Sequence, residues 1–165
     1  MALLGWAVGE GSTPVDDWFQ QARGSALGRL LFFTDQRTVA VLLVGALAVA
    51  AYRRRWLLVA VMALSPVVAV WLSRLFKELF GRQKGGAVAY PSGHTTLMVV
   101  VLGMVLLVVG AKLYVVVIAV VWALLGMLGQ AVTYHYFTDA VGGFLLGSVI
   151  VCVAALLVRS QLLTR

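Results

Sequence analysis

The sequence predicts an all-α, integral-membrane helical bundle of about five transmembrane helices, and three observations lead there. Hydrophobic residues make up 62% of the 165 residues and charged residues only 12%, with a mean hydropathy of +1.02. A soluble domain carries about a quarter charged residues. Five stretches of 15 or more residues contain no Asp, Glu, Lys or Arg: 38–52, 56–73, 85–111, 113–134 and 140–158. A helix crosses a bilayer with about 20 apolar residues, and about 17 is the lower limit. The remaining polar residues are gathered into islands between those stretches. One membrane-embedded domain over 1–165 is expected, with an N-terminal interfacial segment at 1–37 and a transmembrane bundle at 38–158.

The opening MALLGWAVGEG is not expected to be a signal peptide, because it lacks a basic n-region and glycine breaks its short apolar run. In TPVDDWFQQARGSALGRLLFF, Thr13 can cap a helix, Pro14 suits the first helical position, and Asp16 completes a capping-box pattern. Trp18, Phe19, Ala22, Ala26 and Leu30 then recur at roughly helical spacing with charges between them. That spacing predicts an amphipathic helix lying in the membrane interface, with a soluble lid as the alternative.

The first span is short at 15 residues and gains length from Leu31, Phe32 and Phe33 just before it. The third opens with GGAVAY, which reads as loop, so its helix is expected from about Ser92. Gly143-Phe-Leu-Leu-Gly147 in the last span is a small-xxx-small pattern, read as packing within this bundle rather than between copies. A homo-oligomer is left open. The single cysteine, Cys152, lies in an apolar run and reads as a packing residue, with no internal disulfide and no CxxC metal site.

Five crossings put alternate loops on opposite sides. One side holds Arg53, Arg54, Arg55, Lys112, Arg159 and Arg165 and no acid; the other holds the remaining seven basic residues and all six acids. The dense Arg53–Arg55 loop marks the first side as cytoplasmic. Arg74, Lys77, Arg82 and Lys84 are expected to crowd one loop on the opposite, outer side. Span counting alone also brings both histidines of the chain, His94 and His135, to that outer side. The net charge of +7 comes without a basic stripe of interleaved aromatics. Nucleic acid is therefore not an expected partner, whereas anionic lipid surfaces and phosphorylated substrates are.

Two polar islands then carry chemistry, YPSGHTT and TYHYFTDAVGG. His135 and Asp139 are i and i+4, so on a helix they share a face. The carboxylate can hold one ring nitrogen and leave the other free to attack. Ser92-Gly93-His94 opens a helix, where backbone N–H groups, the serine hydroxyl and the dipole favour an anion. Glycine lets the backbone approach that anion closely. Each piece also has a plainer reading: an interfacial histidine, a structural hydrogen bond, cations that anchor a helix at headgroups. Together they describe phosphoryl transfer through a histidine, with no metal and no cofactor required.

The order of these islands resembles the three-part signature of the type 2 phosphatidic acid phosphatase superfamily. Lys77 with a basic residue seven positions on, Pro91-Ser92-Gly93-His94, and His135-x-x-x-Asp139 carry the resemblance, over about residues 70–150. It implies that His135 is the nucleophile, Asp139 its orienting carboxylate, and His94 the acid that protonates the leaving oxygen. Lys77, Lys84, Ser92 and the Gly93 amide would hold phosphate. The sequence departs from the pattern at three points. Lys84-Gly85 stands where Arg-Pro is usual, Gly129 stands where an arginine is usual, and five spans are counted against a usual six. Arg82 or Arg74 is expected to replace the missing arginine, with Gln130 beside the vacant position.

The resemblance implies a metal-independent hydrolase of a membrane lipid phosphate or diphosphate, acting through a phosphohistidine. It would sit in a bacterial-type inner (plasma) membrane with its site on the extracytoplasmic face. Polyprenyl phosphate, phosphatidylglycerophosphate and phosphatidate types are all compatible. An isoprenoid phosphate of cell-envelope synthesis is favoured. The rival expectation is a weakly active or inactive protein of the same fold that binds or transports phosphorylated lipids.

Overall fold

The computed structural model describes residues 1–163, and helix dominates them. Two short helices lead, α1 (Ala2–Val8) and α2 (Pro14–Gln20). A 3₁₀ segment (Ala26–Thr34) runs into α3 (Gln36–Tyr52). It is followed by α4 (Trp56–Phe80), α5 (Gly93–Val109), α6 (Leu113–Ala131) and α7 (Phe137–Leu163). Between α4 and α5, β1 (Gln83–Lys84) and β2 (Ala87–Val88) pair antiparallel. The two residues joining them, Gly85 and Gly86, have φ of 59° and 82°. Glycine adopts that tight hairpin turn without strain.

Four helical stretches are long and apolar enough to cross a membrane: Ala26–Tyr52, Trp56–Phe80, Leu113–Ala131 and Phe137–Arg159. Their outward faces are apolar, as at Val41, Leu64, Leu124 and Leu156. Helices that are apolar on all sides need a non-aqueous surround. α5 is also apolar but has only 17 residues. It forms the axis of the bundle, with α3, α4, α6 and α7 all packed against it. Met98, Val100, Val101 and Met104 of α5 are fully buried. Gly103 makes this packing close, since a Cβ there would collide with Val151 of α7. Gly143 and Gly147 of the small-xxx-small pattern likewise meet α5 of the same chain, at Ser92 O and at Val99.

Helix ends follow local chemistry. Thr13 and Asp16 form the expected capping box, with Pro14 opening α2. Asp35 caps α3 through the amides of Arg37 and Thr38. Gly81 closes α4 in the left-handed conformation, φ 61°. Ser92 caps α5, where the expected third helix begins.

Three expectations change. The N-terminal segment is not one amphipathic helix: it breaks around Gly24, and the 3₁₀ segment joins α3 as part of a span, so the bundle begins near Ala26 rather than at 38. α2 also turns a polar face inward, with Asp16 buried and Trp18 exposed, because Asp16 finds a cation inside. Arg74 and Lys77 are not loop residues, since α4 continues to Phe80. At the far end of the bundle, Arg53 Nη1 donates to Val108 O at 2.7 Å, which brings that basic loop to the end of α5. Arg165, expected on that side, lies outside the described residues.

Candidate active site

The opposite end of the bundle gathers the start of α5, the turn between α6 and α7, the β-hairpin and α2. His94, on the first turn of α5, faces His135 with ring centroids 6.5 Å apart. His135 is not on a helix with Asp139, as the spacing suggested. α6 ends at Ala131, His135 lies in the turn that follows, and Asp139 is the third residue of α7. The turn folds because the His135 amide donates to Gln130 O at 3.0 Å, while Asp139 Oδ2 accepts from the Tyr136 amide at 2.9 Å. A carboxylate at that position satisfies one of the orphan amides of the helix start. The same Oδ2 lies 3.6 Å from His135 Nδ1, too long for a hydrogen bond, and Nδ1 has no other hydrogen-bond partner.

Arg82 is the hub beneath this pair. Its side chain is fully buried and bridges two carboxylates, Asp139 Oδ1 at 2.8 Å and Asp16 Oδ2 at 2.7 Å. Its Nε and Nη2 also donate to Gly11 O at 3.0 and 2.8 Å, and Nη1 donates to Thr138 Oγ1 at 2.6 Å. Every guanidinium nitrogen is therefore engaged inside the protein. Asp16 is equally committed, accepting from the Thr138 amide at 2.9 Å and from Thr13. Burial pushes the Asp16 carboxyl up, but the amides of Thr138 and Thr13 and the Arg82 guanidinium outweigh it, so its pKa lies below the usual value.

The N-terminal segment touches the same turn at two further points. Phe19 stacks on Phe137 with centroids 4.2 Å apart, and Gln20 Nε2 donates to Ala131 O at 2.5 Å and to His135 O at 3.3 Å. Asp16, Gln20 and Thr138 are the site-building residues that sequence reasoning missed. The capping box accounts for Asp16 locally, and no sequence-local signal links it to Arg82, 66 residues away.

The expected phosphate ligands divide. Lys84 Nζ donates to His135 O at 2.6 Å and sits 4.8 Å from the centre of the Tyr136 ring. Burial pulls its pKa down to about 8, against an opposing pull from Asp139. Lys77 Nζ donates from α4 to Val88 O of β2 at 2.9 Å. Gly93 has room above it, since an added Cβ would meet only Ser73 at ordinary distance. Ser92 is fully buried, its Oγ accepting from the Thr95 amide and hydroxyl at 3.4 and 3.1 Å, and its amide donating to Asp139 O at 2.9 Å. It ties the two islands together.

Gln130 is buried and donates to Thr34 Oγ1 at 2.7 Å, holding the 3₁₀ segment rather than reaching the histidines. Arg74 is exposed on α4 beside an apolar cleft. The departures from the family pattern also gain physical reasons. A Cβ on Gly129 would come within 2.6 Å of Leu30 C and 2.7 Å of Leu31 N, so the 3₁₀ backbone occupies the space an arginine would need. Gly85 has φ 59°, which proline, fixed near about −65°, cannot adopt.

Among the described residues, no three His, Cys, Asp or Glu side chains cluster so as to hold a metal ion. The arrangement that does exist is a pair of facing imidazoles, one beside a buried carboxylate whose charge is shared with Arg82, under two lysines and a helix N-terminus. Comparison with known proteins identifies no relative: no protein-family model, no curated protein and no solved structure matches the chain.

Proposed function

We propose that this protein is an integral-membrane phosphatase of phosphorylated lipids, working through a phosphohistidine at His135. The observation that carries the reading is the facing of His94 and His135 across 6.5 Å, with Asp139 beside Nδ1 of the second ring. With Nδ1 turned to Asp139, His135 Nε2 attacks phosphorus and the phosphorus–oxygen bond to the lipid breaks. His94 gives its proton to the leaving lipid oxygen. Water then attacks the phosphohistidine, its proton passes to His94, and inorganic phosphate leaves with His135 regenerated. Lys77, Lys84 and the Gly93 amide at the α5 N-terminus offset the charge of the phosphoryl oxygens. Arg82 acts behind them, holding Asp139 rather than the phosphate.

In this reading α5 is a fifth crossing. Its 17 residues span about 25 Å, short of a hydrocarbon core of about 30 Å. A helix sheathed by α3, α4, α6 and α7 need not match that thickness, because its sides meet protein instead of lipid. The histidine end then lies at the outer face of an inner (plasma) membrane, opposite the Arg53–Arg55 loop. The lipid is of the polyprenyl phosphate, phosphatidylglycerophosphate or phosphatidate type.

One observation favours a second reading, binding or transport of phosphorylated lipids without turnover. Arg82 and Ser92 are spent on internal contacts, leaving fewer groups for the transition state. Phosphate release from a panel of lipid phosphates in detergent separates the two. The phosphatase reading expects release by the wild type, none by His135→Ala, and an acid-labile phosphoryl label on His135. Lipid-phosphate binding without release from any lipid supports the second.

A further inference from the structure

We propose that the cleft between α3, α4 and α5 holds the headgroup-proximal part of one hydrocarbon chain of the phosphorylated lipid whose phosphate sits at the histidine end. The proposal rests on the reading of the histidine end as a lipid phosphate site.

The cleft encloses about 480 Å³, and its walls include Val39, Ala40 and Leu43 of α3, Val67 of α4 and Val101 of α5. Its polar lining side chains are Gln36 and Arg74. Gln36 is the first residue of α3, and Arg74 precedes Lys77 by one helical turn. Leu97, also in the lining, follows His94 by one turn of α5. Residues three apart on a helix share a face. The polar end of the cleft therefore lies one turn from two groups assigned to the phosphate, and its apolar length runs from there towards the bundle centre.

That polarity fits one kind of occupant. A hydrocarbon chain fills the apolar length, and its phosphate meets Arg74, Lys77 and His94 at the mouth. A lipid lacking the phosphate gains only the apolar contacts, which any lipid-facing groove offers. From Pro66 to Arg74 the cleft follows eight residues of α4, about 12 Å of helix, well short of a hydrocarbon core of about 30 Å. The cleft thus grips the part of the chain nearest the headgroup and leaves the rest in the bilayer. Ala40 keeps the space open, being small and facing it from α3.

The test uses the full chain in bilayer nanodiscs with two photoactivatable probes, a phosphatidate and a polyprenyl phosphate, each carrying a diazirine near the head of a chain. With at least one probe, label is expected on cleft residues of α3, α4 and α5. Excess unlabelled lipid phosphate removes it, and the matching dephosphorylated lipid does not. Ala40→Trp abolishes cleft labelling while the thermal unfolding midpoint in detergent is unchanged. Label spread evenly over lipid-facing helices, or displaced equally by the dephosphorylated lipid, overturns the proposal. Phosphate-dependent cleft labelling without hydrolysis of any phosphate ester leaves the cleft assigned and sinks the phosphatase reading alone.

Discussion

The guanidinium of Arg82 donates to Asp139 Oδ1 at 2.8 Å, and neither side chain has any solvent exposure. With Asp16 on its other edge, Arg82 compensates two carboxylates that have no water to turn to. Removing one partner from a buried ion cluster strands the others and costs about 3–5 kcal/mol. Arg82→Met is therefore expected to lower the thermal unfolding midpoint in detergent steeply. Arg82→Lys rescues little, because three ammonium donors cannot replace the guanidinium's contacts to Asp16, Asp139, Gly11 O and Thr138. An unfolding midpoint left in place by both variants contradicts this view of Arg82.

The two histidines are expected to fail differently. On the proposed phosphatase reading, His135→Ala removes the attacking nitrogen, so no phosphoryl label forms on the protein. On the same reading His94→Asn removes a proton donor, a loss of about 10²–10⁴ in rate for an alkyl leaving group. An aryl phosphate, whose leaving oxygen needs no proton, still labels His135 in that variant. Rapid-quench trapping with the two substrate types makes the comparison, and equal loss on both would remove His94 from the acid role.

On the proposed reading Lys84 is expected to set an alkaline limit. Its pKa is pulled down from 10.5 to about 8, so its charge is lost as pH rises through that value. In the free protein kcat/KM is then expected to fall above about pH 8, and Lys84→Arg, charged throughout, to flatten that limb. Stability moves the other way. Between about 8 and 10.5 the unfolded chain holds a proton that the folded chain has released, so unfolding free energy rises with pH across that window. A pH–rate profile and a pH series of melts read the two effects separately.

Placing an arginine at Gly129 is expected to do harm. Its Cβ would press on the Leu30–Leu31 backbone at 2.6 to 2.7 Å, and backbone cannot swing aside as a side chain can. Even Gly129→Ala overpacks this contact, at about 1–3 kcal/mol. A melt of each variant tests this; Gly129→Arg with an intact melt and raised turnover would mean that the 3₁₀ segment yields and the position belongs to the site.

Helix identity and order were readable in the chain because they rest on local chemistry. Apolar runs located α4, α6 and most of α7, Ser92 located the start of α5, and Thr13 with Asp16 located α2. The i and i+4 spacing of His135 and Asp139 brought the two residues together for a different reason than helical periodicity. A turn followed by the first residues of α7 achieves it, with Asp139 held by the Tyr136 amide. Which face of α2 turns inward was not legible, since exposure of Trp18 and burial of Asp16 depend on what lies beside them.

By itself the sequence determined a membrane-type helical bundle and the convergence of two histidines, a carboxylate and several cations at one end. Apolar run length and span parity are properties of the chain alone, and no long-range contact is needed to read them. Only the tertiary structure decided that Arg82 faces Asp16 and Asp139 rather than open space, that Gln130 belongs to Thr34, and that the 3₁₀ backbone fills the space beside Gly129. Those outcomes turn on which charges share a buried volume. Partners 57 and 66 residues apart leave no trace in local spacing.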